Sequence, residues 1–190
     1  MRTKMRALIV TAAALLASGG TMAQGYVGAA IGASNVDFDC SGLSTCDRSG
    51  IAAKVFGGYK FTPHIAIEGT YFSFGKAQVA FFDPGLGNVT ADLKAAGLGI
   101  GAAFFGQFSQ DWSGVARVGV ASIKSEIDVA ASSGSGRLDD SKAQPYFGLG
   151  VGYALSKSAT LDVAADFSRA EIAAEKADLR ALTVGVTFSF

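Results

Sequence analysis

Proline is nearly absent from this chain, with 3 in 190 residues, and histidine and tryptophan each occur once. Beyond Gln24 no apolar run reaches the roughly 20 residues that a membrane helix needs. No sign of charge dominates, with 16 basic and 16 acidic residues, so nothing marks a nucleic-acid partner. With His64 as the sole histidine, a metal site built around the two cysteines lacks nearby partners. Against these shortages stand 25 glycines and 14 phenylalanines. Mean hydropathy is +0.34, high for a soluble secreted protein. The chain is therefore apolar on average without apolar blocks, and its hydrophobic residues must be spread by some other rule.

The last residues show the rule. Leu182, Val184, Val186, Phe188 and Phe190 share one face of an extended strand, while Thr183, Gly185, Thr187 and Ser189 share the other. A strand that is greasy outside and small or polar inside suits a membrane-spanning β-barrel, where lipid-facing residues arrive at every second position. The same alternation marks seven earlier segments. The first lies near 25–36 and sets Val27, Ala29, Ile31 and Ala33 against Gly28, Ala30, Gly32 and Ser34. The second, near 51–61, sets Val55, Tyr59 and Phe61 against Lys54, Phe56 and Lys60. The third sets Ile65, Ile67 and Tyr71 against Ala66, Glu68, Thr70 and Phe72. The fourth, near 89–105, sets Leu98, Ile100, Ala102 and Phe104 against a face of Gly97, Gly99, Gly101 and Ala103. The fifth, near 113–127, sets Ala116, Val118 and Val120 against Arg117, Gly119 and Ala121. The sixth, near 143–155, sets Phe147, Leu149, Val151 and Tyr153 against Gly148, Gly150 and Gly152. The seventh sets Leu161, Val163, Ala165 and Phe167 against Asp162, Ala164 and Asp166.

The connections alternate in length. Turns near Pro63, Gln110 and Lys157 are short, whereas 37–50, 76–88, 128–142 and 169–177 are longer and richer in polar residues. These features predict an all-β fold, an eight-stranded antiparallel up-and-down transmembrane β-barrel with both termini at the short-turn side. Closure would remove sheet edges, which lipid demands because an unpaired backbone group there costs several kcal/mol.

Residues 1–23 read as a secretory signal. Arg2, Lys4 and Arg6 form the basic start, an apolar run follows from Ala7 to Ala17, and Thr21-Met22-Ala23 offers small residues before a cut ahead of Gln24. The barrel is then expected over 24–190. Cleavage would remove three of the 16 basic residues and none of the 16 acids, leaving a formal charge of −3. Cys40 and Cys46 lie in a polar segment, and in an oxidising compartment they most simply pair as a disulfide that pins a loop.

Lys54, Lys60, Glu68, Arg117, Asp162 and Asp166 all fall on the face opposite the apolar one. Two carboxylates on one face could suggest acid–base catalysis, but opposite charges pairing inside a narrow, self-filled barrel is the plainer reading. The alternating glycines of Gly97-Leu98-Gly99-Ile100-Gly101 and Gly148-Leu149-Gly150-Val151-Gly152 lie within strands and lack the strand–turn–helix context of a phosphate loop. They leave space for water, or let Phe56 and Phe72 cross the lumen. His64 sits at a turn, so no Ser-His-acid set can form at the opposite rim. Trp112 reads as an interface aromatic. No cofactor, metal site or catalytic residue is expected. Arg48, Lys76, Lys124, Arg137, Lys142, Arg169 and Arg180 fall in or near the longer connections, with Lys76, Arg137 and Arg169 the candidate contacts to lipopolysaccharide phosphates. Val79-Ala80-Phe81-Phe82-Asp83-Pro84-Gly85 is apolar for a loop and is expected to fold over the barrel mouth or dock on a partner.

The run Phe56-Gly57-Gly58-Tyr59-Lys60-Phe61-Thr62-Pro63-His64-Ile65-Ala66-Ile67-Glu68-Gly69-Thr70-Tyr71 resembles the second hairpin of the outer membrane protein A family transmembrane domain, as do Val115-Ala116-Arg117-Val118-Gly119 and Gly150-Val151-Gly152-Tyr153-Ala154-Leu155. The similarity extends over 24–190. It implies an integral barrel of the Gram-negative outer membrane, with an interior salt-bridge network in which Glu68 and Arg117 match lumenal residues. Ala103 and Gly152 stand where the family has a lumenal lysine and a second glutamate, and Asp162 replaces a lumenal arginine, which argues against an ion path carried by those positions. The closing strand is similar to the signal read by the outer-membrane barrel-assembly machinery, through Thr183, Gly185, Phe188 and Phe190. The family's peptidoglycan-binding domain is not expected after the barrel. The resemblance implies a structural or surface-interaction role, with outer-membrane lipid and lipopolysaccharide as partners and a host or phage surface ligand at the loops. A narrow porin-like channel or hydrophobic-solute conduit is the alternative, and a soluble secreted ligand-binding barrel with its apolar faces inward is a second.

Overall fold

The computed structural model describes residues 25–37, 45–83, 87–131, 134–172 and 175–190. Nine strands are present: β1 (Gly25–Asp37), β2 (Thr45–Asp47), β3 (Ser49–Thr62), β4 (Ile65–Asp83), β5 (Gly87–Gln107), β6 (Trp112–Ala131), β7 (Gly134–Ala154), β8 (Ala159–Ile172) and β9 (Glu175–Ser189). Each long strand pairs antiparallel with its neighbours in sequence, and β4 pairs with both β3 and β5. β1 pairs β9, so eight strands close into a barrel. β2 is a short ninth strand that pairs only with β4, through Thr45↔Ala80 to Asp47↔Gln78. The seam between the first and last strands is sealed by reciprocal backbone bonds, Gly25 N–H to Phe190 O at 3.0 Å and Phe190 N–H to Gly25 O at 2.9 Å. The Phe190 ring lies over Gly25, where a Cβ would sit 2.6 Å from the ring.

The alternation resolves into an outside and an inside. Ile31, Val55, Tyr71, Leu98, Val120, Leu149, Val163 and Val184 are all exposed, while Tyr26, Lys54, Phe56, Glu68, Phe72, Arg117, Asp166 and Thr183 are buried. The apolar face is therefore the outer one, which overturns the soluble carrier alternative, since that protein would bury the same face. On β7 the apolar residues run from Phe147 to Leu155. At about 3.3 Å per residue and a tilt near 40° this band is roughly 20 Å tall, close to the hydrophobic belt of an outer-membrane barrel. Aromatics ring its short-turn edge: Trp112 packs edge-on against Tyr153 at 5.2 Å, and Tyr59 against Phe61 at 5.6 Å.

At the other end the strands outrun the belt. Within 76–88 and 128–142, expected as loops, the described residues are instead paired strand: β4 and β5 continue to Asp83↔Gly87, and β6 and β7 to Ala131↔Gly134. β8 and β9 likewise continue to Ile172↔Glu175. The expectation failed because these extensions lie beyond lipid. Their backbones pair without needing an apolar face, so the alternation that marks a spanning strand is missing. The apolar segment 79–85 is corrected in the same way, for the backbone of 79–83 is ladder rather than a flap over the mouth, and 84–86 lie outside the described residues. β7 and β8 pair only from Phe147↔Phe167 to Ala154↔Thr160, so the wall divides above that level. There the Ser168 hydroxyl donates to the Pro145 carbonyl at 3.1 Å.

One glycine sets the geometry of this outer region. Gly75 has φ +73°, and an added Cβ would meet the Ile51 carbonyl at 2.6 Å. It lies in a bulge between Ser73 and Lys76 where the β4–β5 register shifts. Up to Phe74 the even-numbered residues of β4 face the lumen; after the bulge Lys76 is exposed and stands opposite Lys94.

Candidate functional site

The lumen is filled in three tiers. Nearest the short turns, Tyr26, Phe56, Ala66, Ala103 and Val115 form one buried cluster with Phe105 against it. Tyr26 meets Phe105 edge-on at 5.5 Å. Farther up, Phe72, Phe74, Ile123, Tyr146 and Leu179 anchor a second cluster. Phe72 stacks on Tyr146 at 5.2 Å and meets Phe74 edge-on at 5.3 Å. The glycine faces make these plugs possible. A Cβ on Gly97 would stand 2.6 Å from the Phe72 ring, and one on Gly28 would stand 2.3 Å from the Phe56 ring. The Phe72 ring therefore crosses over Gly97 and Gly99, whereas Gly148 faces Asp166 and Gly152 lines an open cavity, so the two glycine faces are used differently.

Between the plugs lies the charged tier. The Arg117 Nε donates to both Glu68 oxygens, at 2.8 and 3.1 Å. Glu68 also accepts from the Tyr26 hydroxyl at 2.9 Å and the Thr70 hydroxyl at 3.1 Å. Lys54 Nζ donates to Asp166 at 2.6 Å, and the Tyr146 hydroxyl donates to the other Asp166 oxygen at 2.7 Å. All four charged side chains are at most 5 % exposed. At that burial each charge must be neutralised in place, and the tyrosines satisfy oxygens the cations leave free. Lys54 and Arg117 also face the Phe56 ring, at 5.3 and 4.9 Å from its centroid. The void beside Glu68, Gly99 and Tyr146 is only about 10 Å³, about one water molecule.

The structure brings all six expected lumen charges inside but not into one network. Asp162 and Lys60 lie below the charged tier, at a cavity of about 270 Å³ open toward Pro63 and His64. Asp162 accepts from the Thr187 hydroxyl at 2.5 Å. Lys60 Nζ lies 4.4 Å from the centroid of Phe105 and 5.6 Å from that of Tyr26. Tyr26 and Tyr146 are partners that charge-based reading missed; both share the inward parity of Gly28 and Gly148, which is the signal that finds them. His64 stands at the turn, with Nδ1 3.1 Å from the Phe105 carbonyl. Among the described residues no group of His, Cys, Asp and Glu is placed to hold a metal.

On the outer extensions the basic residues are mostly engaged. Arg169 pairs Asp178 at 3.2 Å, Arg48 pairs Asp37 at 2.9 Å, Lys124 pairs Glu126 at 2.7 Å and Lys94 pairs Asp128 at 2.8 Å. Lys142 lies 3.7 Å from Asp140, and Arg180 lies 4.0 Å from Asp37. Lys76 is exposed and has no carboxylate partner among the described residues. Arg137 belongs to β7, but its side chain lies outside the described residues, as do Cys40 and the Cys46 side chain.

Residues 6–190 match the family described as "Outer membrane protein beta-barrel domain". The chain belongs to that family. It is an integral β-barrel of the Gram-negative outer membrane, and the short turns near Pro63, Gln110 and Lys157 mark its periplasmic end. Solved structures carry the same fold at low identity. Neisserial surface protein A is 15 % identical, with a TM-score of 0.61 over 87 % of this chain and 97 % of that one. Ail, the attachment invasion locus protein of Yersinia pestis, is 16 % identical, with a TM-score of 0.56 over 88 % of this chain and 99 % of that one. The outer membrane protein OprG from Pseudomonas aeruginosa is 14 % identical, with a TM-score of 0.55 over 90 % of this chain and 98 % of that one. No curated protein matches the chain.

Proposed function

We propose that this barrel acts at the cell surface through its outer extensions, with neither catalysis nor transport in its bore. One observation carries the reading: the strands run past the lipid belt as paired, charged hairpins, while the lumen beneath them is closed by two aromatic plugs around a buried ionic tier. A rigid hairpin presents side chains at low entropic cost, which favours recognition over flux. Ail, of the same fold, has also been solved in complex with the heparin analogue sucrose octasulfate, which supports an anionic ligand class for such extensions. Here lipopolysaccharide phosphate is the ligand nearest at hand, with Lys76, Arg137 and Arg169 as its contacts. The ion pairs narrow that set, since Arg169 must exchange Asp178 for a phosphate, whereas Lys76 has no carboxylate partner among the described residues. A host or phage ligand at the hairpin tips belongs to the same reading.

Export and assembly complete the proposal. Residues 1–23 serve as a cleaved secretory signal, Cys40 and Cys46 form a disulfide in the first outer connection, and Thr183, Gly185, Phe188 and Phe190 present the closing strand to the assembly machinery. The test is binding of purified lipopolysaccharide to the protein extracted from outer membranes. Replacing Lys76, Arg137 and Arg169 together with glutamine lowers binding at least several-fold, while unchanged binding removes phosphate recognition from these residues.

A further inference from the structure

Of the six acidic and basic side chains placed in the bore among the described residues, four are consumed by the Arg117–Glu68 and Lys54–Asp166 pairs. The two left over, Lys60 and Asp162, line the same periplasmic cavity of about 270 Å³ and form no ion pair with each other. They stand on β3 and β8, which are separated around the wall by β1 and β9, and both line this one cavity. Lys60 is held by ring faces rather than by an acid, and Asp162 by a hydroxyl rather than by a base. The other charged group on the wall, Arg117, is already held by Glu68, and His64 sits at the rim.

We propose that this cavity is a binding site for a small zwitterion of α-amino-acid type, its carboxylate on Lys60 and its ammonium on Asp162. Side chains of opposite charge lining one cavity select such a molecule. A simple anion gains Lys60 and is repelled by Asp162; a simple cation meets the reverse. A zwitterion makes a charge-assisted hydrogen bond at each end. The size agrees, since a cavity of about 270 Å³ has room for a molecule of several heavy atoms. Tyr26, Phe56 and Phe105 offer an apolar wall to a side chain, and Ser113, Thr160 and Ser189 offer hydroxyls. The cavity opens at the turn beside Pro63 and His64, so the ligand arrives from the periplasm.

The test uses isotope-labelled full-length protein exported to and extracted from the outer membrane, titrated with L-alanine while the amide signals of Gly106, Gly152 and Thr187 are followed. The expected result is a saturable shift in the millimolar range, with acetate alone and methylammonium alone each binding about tenfold more weakly, the worth of one lost charge-assisted bond. Lys60→Gln and Asp162→Asn each weaken L-alanine by a similar factor while keeping the heat-modifiable gel shift of a folded barrel. Acetate or methylammonium saturating as tightly as L-alanine overturns the proposal in favour of a site for one charge. No saturable shift at these amides overturns it altogether. The comparison of the three probes on the unaltered protein decides the matter even if a variant fails to fold.

Discussion

Replacing Asp166 with alanine tests whether the ionic tier is a structural device. The carboxylate accepts Lys54 Nζ at 2.6 Å and the Tyr146 hydroxyl at 2.7 Å, and Lys54 is 3 % exposed. Its removal strands a buried ammonium with no free carboxylate beside it, because Glu68 is already held by Arg117, Tyr26 and Thr70. Breaking one half of a buried pair costs about 3–5 kcal/mol. The double replacement Lys54→Met with Asp166→Leu removes both charges and fills their volume, so it falls within about 1–2 kcal/mol of the parent. Asp166→Asn keeps an acceptor but not the charge, and lies between. The assay is reversible urea unfolding in phospholipid vesicles, read by heat-modifiable gel mobility and by fluorescence of Trp112, the single tryptophan. A cost below about 1 kcal/mol for Asp166→Ala, or a double variant as unstable as the single one, refutes the claim that the pair is held by mutual neutralisation.

Four further outcomes follow from the same geometry. Leu149→Arg places a charge at mid-belt, where the parent residue is 62 % exposed to lipid, and should cost about 2–4 kcal/mol in vesicle unfolding, whereas Ser141→Arg beyond the belt should cost far less. Gly97→Ala drives a methyl to 2.6 Å from both Phe72 and Ile123; the overpacking should cost about 1–3 kcal/mol in the same assay, with partial recovery on adding Phe72→Leu. In planar bilayers the parent protein gives no regular current steps, while Tyr26→Ala with Phe72→Ala, which removes one ring from each plug, gives measurable events; steps from the parent would contradict a closed bore. Deleting Phe190 removes the ring over Gly25 and the terminal pair of backbone bonds between β1 and the chain end, and should lower the yield of folded barrel in the outer membrane, measured by fractionation and gel shift.

Much of this was legible in period-two alternation. It assigned Glu68, Arg117 and Asp166 to one side of the wall and Tyr71, Val118 and Phe167 to the other, because a strand offers a side chain only two directions. Three of the connections were legible as turns for a similar reason, since Thr62-Pro63-His64, Ser109-Gln110-Asp111 and Ser156-Lys157-Ser158 interrupt the alternation with residues that end a ladder. The outer hairpins were not legible. In water both faces of 128–142 carry polar residues, and backbone pairing leaves no periodic trace there.

Alternation also cannot say how deep a residue sits or which residue across the bore it meets. Lys54 and Asp166 are 112 positions apart in the chain, and only the closed wall brings them to 2.6 Å. The same closure places Lys60 and Asp162 on one cavity without an ion pair between them. Local chemistry decided which way each side chain points, because that is a property of one strand. The pairing of charges, the crossing of rings over glycine and the shape of the periplasmic cavity were decided by register and circumference, which belong to all eight barrel strands at once.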